Sequence, residues 1–191
     1  MPMRDTLVSM VEPLRVLWLA FPVMFAAGVH IIVIKRDCLS QLKRPLDGGR
    51  SWRGERIFGD NKTVRGALVM VTASGVGMGL QGVFRLRELE YFDYGQTNLV
   101  VAGMLLGFGF VLGELPNSFA KRRFGFSPGQ HAGPLFAVLD QVDSIIGVLL
   151  VMHLIWVPAL RVWIWALALG SGVHIAFNSV FVMVGLKRSV F

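Results

Sequence analysis

Asp140 and Asp143 stand three residues apart in "LFAVLDQVDSIIGVLLVMHLI", residues 135–155, an apolar run long enough to cross a bilayer as a helix. Residues at that spacing share a helix face, so both carboxylates can address one object. Ionised carboxylates are costly in hydrocarbon, and acids within spans as a rule line sites or pathways. Upstream, "GELPNSFAKRRFG" sets Glu114, Asn117 and Ser118 just ahead of Lys121, Arg122 and Arg123. Two carboxylates on one face, a third acid nearby and cations around them suit Mg²⁺ carrying a polyphosphate. Mg²⁺ is usually held by one or two carboxylates while phosphates supply further oxygens. The expected metal ligands are therefore Asp140, Asp143 and Glu114. The plainer alternative is a shallow helix end, with both aspartates solvated or paired to Lys121 or Arg122.

A second group of polar residues lies in "KRPLDGGRSWRGERIFGDNKTVRG", which has Pro45, five glycines and alternating basic residues but no apolar periodicity. It reads as an ordered polar loop. Within it Lys62, Arg53, Arg56 and Arg65 can meet phosphate oxygens, arginine as a bidentate fork and lysine as a point charge. The stretch "GDNKT" makes Asp60, Asn61, Lys62 and Thr63 the strongest candidates. For the outer cations, setting topology and touching anionic lipid is sufficient explanation.

These residues need helices to hold them. Of 191 residues, 54% are hydrophobic and 16% charged, whereas soluble domains run near 25% charged. The apolar residues gather into stretches at about 14–34, 65–84, 97–119, 134–155 and 159–185. The expected fold is all-α: one integral membrane domain over 1–191 with about five transmembrane helices. Five spans put the termini on opposite sides. The first span has no clear small-residue cleavage site and is expected to be retained. The single cysteine, Cys38, is assigned no role.

The net charge of +7 is explained by where the cations lie and does not call for nucleic acid. The loop at about 35–64 carries Lys35, Arg36, Lys43, Arg44, Arg50, Arg53, Arg56 and Lys62, with Arg65 following, which marks it as cytoplasmic. That choice places fourteen of the nineteen Lys and Arg residues inside, among them Lys187 and Arg188, and leaves Arg4, Arg15, Arg85, Arg87 and Arg161 outside. The N-terminus is then outside the cell membrane, and the C-terminus and polar site are cytoplasmic.

Finer expectations follow. Pro134 fits the first position of the fourth helix. Pro116 should break or kink the third helix and free backbone groups for a polar cavity. Glycines in "ASGVGMGL", "GMLLGFGF" and "GSGVH" are read as helix contacts. His174 and Asn178, one turn apart, are read as interhelical hydrogen-bonding residues, and His30 and His153 as helix-end or core residues.

At "RPLDGG", "IFGDNKTVRG", "GELPNSFAKRRFG" and "LDQVDS", in that order over most of the chain, the sequence resembles the CDP-archaeol synthases and, more distantly, the CDP-diacylglycerol synthases. The wider signature is a Ser, a Lys-Arg shortly after, and an Asp-Arg-x-Asp element. Ser118, Lys121 and Arg122 match the first part, and Asp140 and Asp143 the acidic positions. Glu114 stands where the diacylglycerol branch usually has Asp. Lys62, Thr63 and Gly66 fall on that branch's Lys-Lys-Thr-Trp-Glu-Gly. Gln141 replaces the arginine between the aspartates, and Gly133 lies further from Asp140 than in the wider signature, as in the archaeol-type branch.

The resemblance implies a membrane cytidylyltransferase. CTP and an inner-leaflet lipid phosphate, in the archaeal branch an unsaturated diprenylglycerol phosphate, give a CDP-lipid and pyrophosphate with Mg²⁺ as cofactor. The implied catalytic residues are Asp140, Asp143, Lys121 and Lys62. Asp60, Asn61, Lys62, Thr63, Arg65, Asn117, Ser118, Lys121 and Arg122 are expected to bind nucleotide or phosphate. Two other functions fit less well. A CDP-alcohol phosphotransferase needs aspartates four apart, which "DQVD" lacks, and a transporter needs polar residues continuing across the membrane.

Overall fold

In the computed structural model, which describes residues 2–185, with side chains described from Val11 on, five helices dominate. They are α1 (Pro2–Lys35), α2 (Val64–Phe84), α3 (Leu99–Arg123), α4 (Pro134–Met152) and α5 (Leu160–Met183). All five are long and apolar enough to span a membrane. Lys187 and Arg188, and the side chain of Arg4, lie outside the described residues.

Capping chemistry sets several helix starts. The Thr63 hydroxyl accepts from the Gly66 N–H at the start of α2, and the Asn98 side chain accepts from the Val101 N–H at the start of α3. Pro134 occupies the first turn of α4, as expected. Pro116 does not break α3, which runs on to Arg123 and carries Lys121, Arg122 and Arg123 in its last turn. Cations there are favoured by the negative end of the helix dipole.

Helix α3 sits between α2 and α4, and its glycines determine how closely they approach. Cβ atoms added at Gly103 or Gly107 would strike the α2 backbone at Ser74–Gly75 or Met70–Val71. Those at Gly109 or Gly113 would strike α4 at Gly147–Val148 or Asp143–Ser144. One row of small residues thus faces each neighbour, and backbone-to-backbone packing replaces side-chain interdigitation. In α5 the pattern is weaker. Gly170 packs on Ile145, whereas Gly172 meets nothing.

The two ends of the bundle differ. At one end Glu12, 1% exposed, accepts from Tyr91 Oη (3.0 Å) and Arg161 Nε (3.2 Å), tying α1, the α2–α3 connection and α5 together. Arg15 stacks over the Tyr91 ring and donates to the Glu90 carbonyl. The opposite end gathers the C-termini of α1, α3 and α5 with the N-termini of α2 and α4, and holds the long α1–α2 connection.

That connection contains structure the helical reading did not anticipate. β1 (Ser51–Trp52) pairs antiparallel with β2 (Glu55–Arg56) across Arg53 and Gly54, both at positive φ, as a tight two-residue hairpin turn requires. At the loop's base, Leu46 N–H donates to Lys62 O and Val64 N–H to Arg44 O. Asp47, buried at its centre, accepts from the N–H groups of Gly49, Phe58 and Gly59 and from Arg56. Burial pushes its carboxyl up, but these donors outweigh that and hold it at about 2.

Candidate active site

The α3–α4 glycine contact brings the acids to their partners. Gly113 lies against the Asp143 carbonyl, so the next turn of α3 sets Asn117 beside both aspartates. Asn117 Nδ2 donates to Asp140 Oδ1 (2.6 Å) and to Asp143 Oδ2 (2.8 Å). Lys121, one turn on, reaches both oxygens of Asp140 at 2.5 and 2.6 Å. From the base of the loop, Lys62 pairs with Glu114 Oε2 at 2.5 Å. Burial pulls the Lys62 ammonium down, but Glu114, by charge and hydrogen bond, and then Asp143 and Asp140 carry it above its ordinary value. Asp140, Asp143, Asn117, Lys121, Lys62 and Glu114 therefore form one cluster.

The geometry fits a cation in part. Oxygens from both aspartates converge on one donor atom, so the pair can share a divalent ion in place of the Asn117 amide. Glu114 does not share that donor atom; it is paired with Lys62, as Asp140 is with Lys121. No set of three or more His, Cys, Asp or Glu side chains placed to hold a metal occurs among the described residues. The donor set is two carboxylates, enough for Mg²⁺ when phosphates complete its shell.

Other expected residues are engaged elsewhere. Arg65 is buried and donates to Asp37 (2.7 Å) and the Cys38 carbonyl (3.2 Å), so it anchors the loop's start. Arg56 is taken by Asp47 and Asp60, and the Thr63 hydroxyl by its capping bond. Asp60, Asn61, Thr63 and Arg65 instead line a cavity of about 470 Å³ at the start of α2, with His30, Lys43 and Gly66. His30, expected to be a helix-end or core residue, faces this cavity.

Arg122 is 5% exposed, and its Nε and Nη1 have no hydrogen-bond partner among the described residues. Ser118 is half-buried on the same helix. Gln141 is buried with its side-chain oxygen unpartnered among the described residues, and the donors seen on the two aspartates are Asn117, Lys121 and the Ser144 N–H. His153 caps the end of α4. His174 lies edge-on to Phe110, and Asn178 is buried.

The arrangement of acids and lysines can be compared with known proteins. A family model described as CarS-like CDP-archaeol synthase matches residues 7–191. The chain belongs to the CDP-archaeol synthase family. It is 34% identical to the CDP-archaeol synthase of Halorubrum lacusprofundi over 154 residues, 76% of this chain and 82% of that one. It is 36% identical to the enzyme of Thermococcus gammatolerans over 135 residues, 70% of each. A solved structure of an intramembrane enzyme for archaeal membrane lipid biosynthesis superposes with a TM-score of 0.64 at 28% identity, covering 84% of this chain and 90% of that one. The chain is a multi-pass integral membrane protein of this family.

Proposed function

We propose that the protein transfers CMP from CTP to a diprenylglycerol phosphate, giving a CDP-archaeol-type lipid and pyrophosphate. The observation that carries this is the convergence of Asp140 and Asp143 on one point, with Lys121 and Lys62 beside them, at one end of a membrane bundle. Such a place suits two phosphate-bearing substrates, one from water and one from the bilayer. Positive charge concentrated at that end supports a cytoplasmic orientation in the cell membrane, where CTP is available. The lipid would enter from the inner leaflet with its chains between helices.

In this reading a lipid phosphate oxygen forms a bond to the α-phosphorus of CTP, and the bond from that phosphorus to the bridging β-phosphate oxygen breaks. Pyrophosphate leaves with the electron pair. The nucleophile is already anionic, so no side chain must remove a proton. Lys121 and Lys62, held ready by Asp140 and Glu114, turn to phosphate oxygens and offset the repulsion between two anions. Asn117 and Ser118 orient the acids and phosphates, and positioning supplies much of the remaining rate. Mg²⁺ held by Asp140 and Asp143 would neutralise charge on the phosphoryl oxygens.

The test is incubation of purified protein and Mg²⁺ with each of four labelled nucleoside triphosphates and with diprenyl ether or diacyl ester phosphates. CTP-dependent labelling of the diprenyl lipid with pyrophosphate release is expected. Labelling of the diacyl substrate alone would reassign the lipid. No labelled lipid from folded protein would refute the transfer.

A further inference from the structure

The end of the bundle away from Asp140 and Asp143 carries a second cavity, of about 510 Å³, in the α2–α3 connection. Small-ligand sites usually measure about 300–1,000 Å³. Its lining is Arg85, Arg87, Glu90, Tyr91, Phe92 and Asp93. Arg85 closes α2 in the left-handed conformation. An inverse γ-turn follows, with Leu86 at φ −78° and ψ 75° and the Arg87 N–H on Arg85 O at 2.9 Å. Two arginines are thereby delivered to one cavity, and neither guanidinium has a hydrogen bond or ion pair among the described residues.

The other lining residues are held in different degrees. Tyr91 is fixed: its hydroxyl donates to buried Glu12, Arg15 lies over its ring, and Trp156 stacks on it with centroids 4.8 Å apart. Asp93 accepts from the Gly95 N–H at 2.7 Å. The Glu90 carboxylate has no hydrogen-bond or ion-pair partner among the described residues, and one of its oxygens is buried outright. Two arginines and a carboxylate therefore share a cavity without pairing. A ligand with an anionic group and a hydrogen-bond donor would answer both signs at once.

The surroundings say where that ligand comes from. Val76, Leu80, Val83 and Phe84 are exposed on α2 and fall within about 100° of one another around the helix. In a membrane-spanning chain that apolar stripe meets lipid, and it ends at the residue before Arg85. Tyr91 and Trp156 beside the cavity are the residue types that mark headgroup depth.

We propose that this cavity is a headgroup site for a phosphodiester lipid of the leaflet opposite the CMP-transfer site. The lipid's chains lie along the α2 stripe, its phosphate meets Arg85 and Arg87, and head hydroxyls donate to Glu90. The site is separate from the Asp140–Asp143 cluster and does not depend on the transfer reading.

Native mass spectrometry of detergent-purified protein tests it, with diphytanyl lipids bearing phosphoglycerol or phosphomethanol heads. Both heads are phosphodiester monoanions, and only the first carries free hydroxyls. Wild type should bind the phosphoglycerol lipid about fivefold more tightly, the worth of one net hydrogen bond. The double variant Arg85→Gln/Arg87→Gln should weaken both lipids about thirtyfold through loss of two cations at the membrane surface. Glu90→Leu should bind the two lipids alike. These side chains have no described partners, so the variants should unfold at the wild-type temperature. Asp143→Asn should bind lipid as wild type does, whether or not CMP transfer is observed, which places the lipid away from that site. Attraction by charge alone predicts the reverse for Glu90: wild type binds both lipids equally and Glu90→Leu tightens both. That pattern overturns the proposal, as does undiminished binding by the double-arginine variant or no binding by wild type. Displacement of the lipid by chain-free glycerol phosphate would assign the cavity to a soluble phosphate and overturn the lipid.

Discussion

Replacing Gly113 by alanine should disable the enzyme from a position that touches no substrate. An added Cβ at residue 113 stands 2.9 Å from both Asp143 C and Ser144 Cα, and closer still to the Asp143 carbonyl oxygen. Comfortable carbon–carbon contact lies near 3.5–4.0 Å, so α3 and α4 must part by roughly 0.6–1 Å. The obstructing atoms are backbone, so no side chain can swing aside. Parting there stretches the Asn117 bonds to Asp140 and Asp143, which now measure 2.6 and 2.8 Å. A misplacement of that size costs about 10²-fold in turnover, and overpacking costs roughly 1–3 kcal/mol of stability. The assay is CDP-lipid formation at saturating CTP and lipid phosphate, beside thermal unfolding in detergent. Gly172→Ala, whose Cβ would meet nothing within 4 Å, is the control and should behave as wild type. Wild-type turnover from Gly113→Ala would show that close α3–α4 packing does not set the site.

Other perturbations address the charges. Lys62→Gln should lower kcat about 10²–10³-fold, the usual loss when a donor to developing charge is removed, as read from initial rates at saturating substrates. Because the Lys62 pKa is raised above 10.5, its bond with Glu114 contributes stability fully present below that value and lost only as pH rises past the higher folded one. Rate profiles from pH 6 to 9 should therefore show no limb from Lys62. Asp47 behaves oppositely. Its pKa falls from 3.8 to about 2, so its contribution is present above 3.8 and disappears as pH drops toward 2. Pepsin should cut the 43–62 segment increasingly over that range, and Asp47→Asn should be cut already at pH 4, since hydrogen bonds to a charged group are worth about 1.5–3 kcal/mol.

The spans and the acid–lysine cluster could be read from the chain because their information is local. Apolar run length sets the helices, the three-residue spacing of Asp140 and Asp143 sets their face, and the glycine rows announce close packing. What escaped depends on contacts between distant segments. Nothing in the spacing of Arg65 shows that Asp37 lies within reach, and the basic run gave Arg56 no sign that Asp47 and Asp60 would take it. Glu114 reads as a third metal ligand because acids near acids suggest one, and its pairing with Lys62 from the loop is a long-range contact that the sequence does not announce. The hairpin had a local signal, Arg53-Gly54 between Trp52 and Glu55, that the surrounding basic residues obscured. The bonds from Arg123 to that hairpin had none, since its three acceptors, at Trp52, Glu55 and Arg56, are backbone carbonyls about seventy residues away.

The central claim, that Asp140 and Asp143 form the centre of CMP transfer, is tested most directly by Asp143→Asn. The variant keeps an oxygen able to accept from Asn117 and removes the charge. With labelled CTP, diprenylglycerol phosphate and Mg²⁺, folded Asp143→Asn should transfer CMP on the order of 10³-fold more slowly than wild type, with an unfolding temperature close to wild type. Near-normal transfer by that variant would contradict the account.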